Sequence, residues 1–152
     1  VDHGSYPNNE GYAYMVVPSA DPLSIEKQVE EEGVVVLANC PDVQAVRHDG
    51  LNMAYAVFYK GGTLRIHDKI VVEMDAPGML MVKYNDAGEI LTLGVSDPTR
   101  FMKKLHLSVN QRIVGTAQEN IQTEWDGKQA LTRISVDLPQ NEYAGKSVIY
   151  NK

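Results

Sequence analysis

The chain has 152 residues, of which 43% are hydrophobic and 22% charged, a balance typical of one ordinary globular domain or two small ones. Fourteen Lys and Arg against twenty Asp and Glu give a formal net charge of -6, the wrong sign for a domain that binds nucleic acid. The single cysteine, Cys40, excludes an intrachain disulfide and a cysteine-based zinc site, and no apolar run approaches the roughly 20 residues of a membrane span.

The charge is distributed unevenly along the chain. Residues 1–50 contain two basic and nine acidic residues, a net charge of -7, whereas residues 51–152 contain twelve basic and eleven acidic residues, a net charge of +1. The chain starts with Val1 and shows neither an initiator methionine nor the basic-then-apolar pattern of a signal peptide. We interpret Val1 as an end made by processing or cutting, so the start of the chain does not indicate a cellular compartment.

The first predicted elements are a strand and a helix. Gly11–Pro18 is rich in aromatic and β-branched residues and lies between turn-forming residues, a pattern that favours a strand. In the segment that follows, Asp21 suits the N-cap of a helix and Pro22 its first position, where no backbone N–H is needed. Gly33 is the residue type that most often ends a helix. We therefore expect one short helix between Asp21 and Gly33.

From Val34 onward, short apolar or alternating runs are separated by turn signals, which is typical of an antiparallel β-domain. Two hairpins are expected, one with a loop at Asn85–Gly88 and one with a two-residue Asp126-Gly127 turn. The fold class predicted from this series is all-β, an antiparallel β-sandwich. The predicted strands are Val34–Leu37, Val43–Arg47, Met53–Tyr59, Ile70–Met74, Gly78–Tyr84, Ile90–Val95, Lys104–Val109, Arg112–Ala117, Asn120–Trp125, Leu131–Asp137 and Ser147–Tyr150.

The sequence contains no familiar catalytic motif. The G-x-S-x-G, P-loop and G-x-G-x-x-G patterns are missing, which argues against the common hydrolase, nucleoside triphosphatase and dinucleotide sites. The four histidines, His3, His48, His67 and His106, are too far apart in sequence for a local metal motif. A small metal-using β-sandwich enzyme would require the strands to bring these histidines together in space. We predict no metal site and no cofactor.

The densest basic cluster of the chain is a candidate carbohydrate-binding site. It consists of Arg100, Lys103, Lys104 and His106. These cations are of the kind that binds a sulfate or a carboxylate group. The alternative is a solvated strand end, which short basic runs often are. Trp125 and the eight tyrosines are suited either to stacking on sugar rings or to packing over the strands.

Three stretches of the sequence carry a family resemblance. Residues 2–18 (DHGSYPNNEGYAYMVVP) fit the pattern H-G-x-x-P-x-x-x-x-Y-x-Y-x-x-x-P, and they are followed by Val43–His48 (VQAVRH) and Leu93–Thr99 (LGVSDPT). In this order they resemble the C-terminal part of the family 8 polysaccharide lyases, which cleave chondroitin, hyaluronan and xanthan. The resemblance covers roughly residues 1–110 and is weaker beyond them.

The resemblance implies a division of the chain into two parts. Residues 1–33 would be the end of a central β-sandwich domain, contributing strands and one short connecting helix, and residues 34–152 would be the C-terminal β-sandwich domain. Members of this family cleave by β-elimination, in which a base removes the C5 proton of a uronate and the glycosidic oxygen then departs. Their catalytic Asn, His, Tyr and Arg lie in an N-terminal helical domain that no segment here resembles. No catalytic residue is therefore predicted.

The function implied by the resemblance is that of a non-catalytic C-terminal portion of a secreted lyase. Its expected partners are an acidic polysaccharide, met through the parent enzyme, and the missing helical and central β-domains, with no nucleic acid and no membrane span. The implied location is extracellular or periplasmic. A self-sufficient carbohydrate-binding module is the alternative, and two or three exposed aromatic residues in line on one sheet face would favour it.

Overall fold

The computed structural model of the chain describes residues 11–14, 16, 18, 21, 23, 25–27, 33–113 and 118–152. Two antiparallel sheets pack face to face as a sandwich, which confirms the predicted fold class. The strands are β1 (Val34–Asn39), β2 (Val43–His48), β3 (Met53–Phe58), β4 (Gly62–His67), β5 (Ile70–Met74), β6 (Gly78–Tyr84), β7 (Ile90–Ser96), β8 (Lys104–Val109), β9 (Ile121–Asp126), β10 (Leu131–Asp137) and β11 (Val148–Asn151). One sheet has the order β1-β2-β3-β6-β7-β11 and the other β4-β5-β8-β10-β9.

The core lies between the two sheets and is built by alternation along each strand. In β6, for example, Leu80, Val82 and Tyr84 are buried, whereas Met79 and Lys83 point away from the core and are exposed. Successive side chains of a strand point to opposite faces, so a period of two in the sequence fills the space between the sheets. The buried hydrophobic residues of both sheets form one continuous cluster.

Helical structure is sparse in the part of the chain that is described. Residues 25–27 are helical, and two short 3-10 helices occupy Asp49–Leu51 and Asn141–Tyr143. None of these is long and apolar enough to cross a membrane. Near the predicted helix start, Asp21 Oδ1 accepts a hydrogen bond from Leu23 N at 3.2 Å, and Gly33 adopts the left-handed φ of +63° expected of a residue that ends a helix. Residues 22, 24 and 28–32 of the predicted helix lie outside the described residues.

Three local predictions need correction. The described residues of the predicted strand Gly11–Pro18, namely 11–14, 16 and 18, are not in a strand. The Asp126-Gly127 hairpin turn is wrong, because Asp126 pairs with Leu131 and residues 127–130 form a four-residue loop. Asp126 Oδ1 instead accepts hydrogen bonds from Lys128 N and Gln129 N, as aspartates commonly do in loops. By contrast, the loop at Asn85–Gly88 is confirmed between β6 and β7, with Gly88 at a φ of +79°.

The third correction concerns the strand predicted at Arg112–Ala117, of which 114–117 lie outside the described residues. Arg112 and Ile113 are not in a strand. Thr132, which is fully buried in β10, holds this segment instead: its Oγ1 accepts a hydrogen bond from Ile113 N at 3.0 Å and donates one to Gln111 O at 2.6 Å. A side chain therefore satisfies the backbone groups that a strand ladder would otherwise pair.

Strand β4 was not predicted, and it depends on a tight crossing between the sheets. The chain passes from β3 to β4 through residues 59–61, next to the connection from β5 to β6 at residues 75–77. A Cβ atom added to Gly61 would lie 2.6 Å from Asp75 O, a backbone atom, whereas one added to Gly62 would meet nothing within 4 Å. Glycine at position 61 lets the two crossing segments approach each other closely.

We expect Gly61→Ala to destabilise the domain by about 1–3 kcal/mol, because the new methyl group overlaps backbone that must shift to accommodate it. Gly62→Ala is the matched control and is expected to change the free energy of unfolding by less than about 0.5 kcal/mol. Urea unfolding followed by circular dichroism measures both values. Equal stability of the two variants would contradict the crossing described here.

Candidate functional site

The outer surface of the five-stranded sheet is polar. The strand register places one row of polar side chains across it, formed by Thr63, Glu73, Ser108, Arg133 and Glu124. Ion pairs join neighbouring strands on this surface, with Arg133 Nη1 at 2.9 Å from Asp126 Oδ2 and Lys104 Nζ at 3.2 Å from Asp137 Oδ1. We call this surface the polar face. Such a face is suited to contact with water.

The structure divides the predicted basic cluster between a loop and a strand. Lys104 and His106 lie in β8 on the polar face, where Lys104 is paired with Asp137 and the backbone N–H of His106 donates to Asp75 Oδ1 at 3.0 Å. Arg100 lies in the preceding loop with a φ of +67°, and a Cβ atom on Gly145 would lie 3.2 Å from its Cγ. Lys103, also in that loop, accepts a hydrogen bond from Leu138 N at its carbonyl oxygen. Carbohydrate binding by these four residues stays a prediction.

The histidines occupy separate places in the fold. His67 Nδ1 accepts a hydrogen bond from Lys69 N at 3.3 Å, and its ring lies 5.5 Å from the Tyr84 ring. His48 lies at the end of β2 and His106 in β8 of the other sheet, and His3 is outside the described residues. Within residues 33–113 and 118–152 and the described N-terminal positions, no three His, Cys, Asp or Glu residues come together as a metal site.

An ion pair closes the end of the sandwich near β2. Arg47 donates to both carboxylate oxygens of Asp49, and its Nη1 donates to Ile66 O of the opposite sheet at 3.1 Å. The hydrogen bond with Asp49 raises the pKa of Arg47 above its ordinary value, and the same bond lowers the pKa of Asp49. The second stretch of the family resemblance, Val43–His48, thus joins the two sheets.

The third stretch of the resemblance forms a turn organised by one buried carboxylate. Asp97 is only 3% exposed, yet it has four donors. Its Oδ1 accepts hydrogen bonds from Thr99 N at 2.8 Å and from Thr99 Oγ1, and its Oδ2 accepts them from Phe101 N at 2.9 Å and Met102 N at 2.8 Å. Burial by itself would raise the pKa of Asp97, but these hydrogen bonds outweigh burial and hold the pKa below its ordinary value.

The lowered pKa of Asp97 predicts a loss of stability in acid. Between the folded pKa and the ordinary value of 3.8, the unfolded chain binds more protons than the folded chain, so stability rises with pH in this range. The contribution of ionised Asp97 is complete above the ordinary value and is lost as the pH falls through the folded pKa. We expect the thermal midpoint to drop on acidification below about pH 4, and to drop less in Asp97→Asn. Identical acid profiles for the two proteins, measured by circular dichroism, would contradict this role.

The outer surface of the six-stranded sheet is apolar, in contrast to the polar face. Its central row runs across all six strands and consists of Val36, Val46, Tyr55, Met81, Gly94 and Ile149. The next row adds Val57 and Met79. We call these eight residues the apolar face. All of them except Val36 line a shallow groove of about 480 Å³.

The apolar face is absent from the predictions above, although the strand sequences carry a signal for it. In β3 (MAYAVF) and in the first five residues of β6 (GMLMV) the residues on both faces are mostly apolar. Near-continuous apolar runs are typical of strands that are covered on both sides. An alternating strand such as β10 (LTRISVD), with one wet face, differs visibly from them.

The comparison with known families decides what kind of domain this is. A model described as polysaccharide lyase family 8, C-terminal beta-sandwich domain, matches residues 35–114, which is more than half of the chain. The chain belongs to polysaccharide lyase family 8. The match begins in β1 and ends after β8, so it includes the Arg47–Asp49 pair and the Asp97 turn. In this family 8 domain, two of the three resembling stretches therefore have structural roles.

Relatives of this family 8 chain are much longer proteins. Chondroitinase-AC of Pedobacter heparinus is 31% identical over 148 residues, which are 97% of this chain and 19% of that protein. A hyaluronate lyase of Thermasporomyces composti is 27% identical over 146 residues, 95% of this chain and 18% of that protein. The chain therefore spans about a fifth of the length of these relatives.

Solved structures agree with this assignment. A chondroitinase AC lyase, determined in complexes with oligosaccharides, superposes with a TM-score of 0.73 at 31% identity over 97% of this chain and 19% of that chain. The chondroitin AC lyase of Streptomyces coelicolor A3 in complex with chondroitin sulphate gives a TM-score of 0.71 at 22% identity, with the same coverage of the two chains, which supports the fold alone.

Proposed function

We propose that this chain is the non-catalytic C-terminal domain of a polysaccharide lyase that depolymerises a glycosaminoglycan, chondroitin or hyaluronan, by β-elimination. The observation that carries the proposal is coverage: nearly all of this chain aligns with only 19% of a chondroitinase-AC, and the matching family model is that of a C-terminal β-sandwich. The domain serves as structural support for the parts of the enzyme that hold the reacting sugar.

The surface chemistry of the described residues supports a structural role. β-Elimination needs a base at the C5 proton and a group that neutralises the neighbouring carboxylate, both held in a site that limits access of water. Here, Lys104 and Arg133 lie on an open face and are paired with aspartates. Asp97 is ionised and its oxygens already accept four hydrogen bonds.

Carbohydrate binding is the second candidate function. The exposed side chains of Arg100, Lys103, Lys104 and His106 favour it, because they offer cations to a sulfate or carboxylate. The net charge of -6 opposes it, since like charges repel at a range that salt sets. Of the aromatic residues, Tyr55 lies on the apolar face among Val46, Met81 and Met79, surroundings that favour protein contact over sugar stacking. Titration of the chain with chondroitin sulfate, compared with a variant in which all four candidates are replaced by serine, tests this function.

An extracellular or periplasmic location completes the proposal. Polymers of the kind named for the relatives, chondroitin and hyaluronan, are too large to enter a cell intact. The enzyme that degrades them first is therefore expected outside the cytoplasm. Fractionation of the producing cells, with detection of this domain by antibody, tests the location.

The main experiment compares this chain with the full-length lyase. Each is incubated with chondroitin and, separately, with hyaluronan, and the absorbance of the unsaturated uronate product is followed at neutral pH. The full-length protein is expected to release product from at least one polymer, and this chain from neither. Product formation by the isolated chain, or an inactive but folded full-length protein, would overturn the proposal.

A further inference from the structure

The apolar face is a contiguous hydrophobic surface with several exposed side chains. Tyr55 is 47% exposed, and Met79 and Ile149 are each 43% exposed. Tyr55 and Met79 lie in middle strands of this sheet, and Ile149 lies in its edge strand β11. Contiguous apolar surfaces of this kind on soluble proteins usually mark contacts with another protein surface. Polar residues border the apolar ones: Gln44 pairs with Val57 and lines the groove, and exposed Lys83 lies two residues beyond Met81 in β6. An apolar centre with a polar rim is the usual composition of such an interface.

The N-terminal segment formed by residues 11–14 lies against the same side of the sandwich. Asn39 Nδ2 donates to Tyr12 O at 3.1 Å, and the rings of Tyr12 and Tyr14 stack with their centroids 6.2 Å apart. Together with Val36 and Val46, this segment lines a second concavity, which adjoins the groove. Residues 11–14 therefore lie on the side of the apolar face.

The shape of the apolar face suits a flat partner. Gly94 lies in the middle of its central row, and a Cβ atom there would meet Met81 Cε at 3.4 Å. The missing side chain keeps the floor of the groove low between Met81 and Ile149. A face of six strands at a spacing of about 4.8 Å is wide enough to receive another sheet or a layer of helices.

We propose that the apolar face is covered by the part of the lyase that precedes this domain, through a flat, uncharged, apolar surface. This inference rests on the proposed function, because it requires a longer polypeptide. A covalently attached partner has an effective concentration in the millimolar range, so even modest apolar contacts keep the two surfaces together. A second copy of this chain lacks that advantage, and the approach of the N-terminal segment on this side favours the attached partner.

Cysteine labelling tests the inference directly. In a Cys40→Ser background, Met79→Cys and Ile149→Cys place single thiols on the apolar face, and Thr63→Cys places one on the polar face as the matched control. Each variant is made in this chain and in the full-length lyase and is reacted with a maleimide. We expect the two probes to react at least about tenfold more slowly in the full-length protein, and the control to react at similar rates in both.

The outcomes separate the possible coverings. Equal rates for Met79→Cys and Ile149→Cys in both proteins would overturn the inference. The inference would also be overturned if the probes in the isolated chain reacted slowly, and more slowly at higher protein concentration. A second copy of the chain would then cover the face. Lyase assays on the same full-length samples distinguish the two proposals: an inactive protein contradicts the proposed function, whereas an active protein with fast labelling contradicts only the covered face.

Discussion

Replacing Asp97 with alanine is expected to lower the free energy of unfolding by about 3 kcal/mol, because it leaves four donors without their acceptor. These are the N–H groups of Thr99, Phe101 and Met102 and the Thr99 hydroxyl, all of which converge on one buried carboxylate. The loss is expected to be smaller than the sum of four bonds, since the loop can partly relax and admit water. Urea unfolding followed by the fluorescence of Trp125 measures it.

Two further substitutions test whether the loss of stability comes from the hydrogen bonds to the Asp97 carboxylate. Asp97→Asn keeps acceptor capacity at one oxygen and is expected to cost roughly half as much. Asp68→Ala removes an exposed carboxylate and is expected to change stability by less than about 0.5 kcal/mol. If Asp97→Ala were as stable as Asp68→Ala, the turn would not depend on the carboxylate.

Leu105→Ala is expected to destabilise the domain by about 3–5 kcal/mol, as a large-to-small substitution in a closed core does. Leu105 is fully buried in β8, and its Cδ1 lies close to Gly78 of the opposite sheet, 3.7 Å from where a Cβ atom would be. The residue therefore fills space between the two sheets, and its removal leaves a cavity. Thermal unfolding of the purified chain measures the loss as a lower midpoint.

Leu51→Ala is the control for this substitution. Leu51 is 54% exposed in a 3-10 helix, so truncation removes little buried surface. We expect its midpoint to remain close to that of the unchanged chain. A small effect of Leu105→Ala, similar to that of Leu51→Ala, would mean that the two sheets do not pack as closely as described.

Much of the sandwich could be predicted from the sequence because it obeys local rules. In strands such as β10, apolar residues on alternate positions indicate which side faces the core. Strand β4 also alternates, with Leu64 and Ile66 buried, but Gly61 and Gly62 at its start look like a turn. The actual role of Gly61, a close crossing beside Asp75, depends on a segment fourteen residues away and leaves no local pattern.

The two faces could not be predicted equally well. Which side chains share a face depends on the pairing of strands far apart in sequence, as for Val46 and Tyr55 or Gly94 and Ile149. The basic cluster illustrates the same limit: residues adjacent in sequence, from Arg100 to His106, are divided between a loop and the polar face. Residues selected by sequence proximity are therefore weaker candidates for a joint site than residues in register across a sheet.

We propose that this domain contributes structure and no chemistry to a lyase. The most direct measurement is kcat of the full-length enzyme carrying Asp97→Asn, determined well below the unfolding temperature, together with the temperature at which activity is lost. With a purely structural role, kcat is expected to be unchanged and the inactivation temperature to be lower. A tenfold or larger fall in kcat with an unchanged inactivation temperature would contradict it.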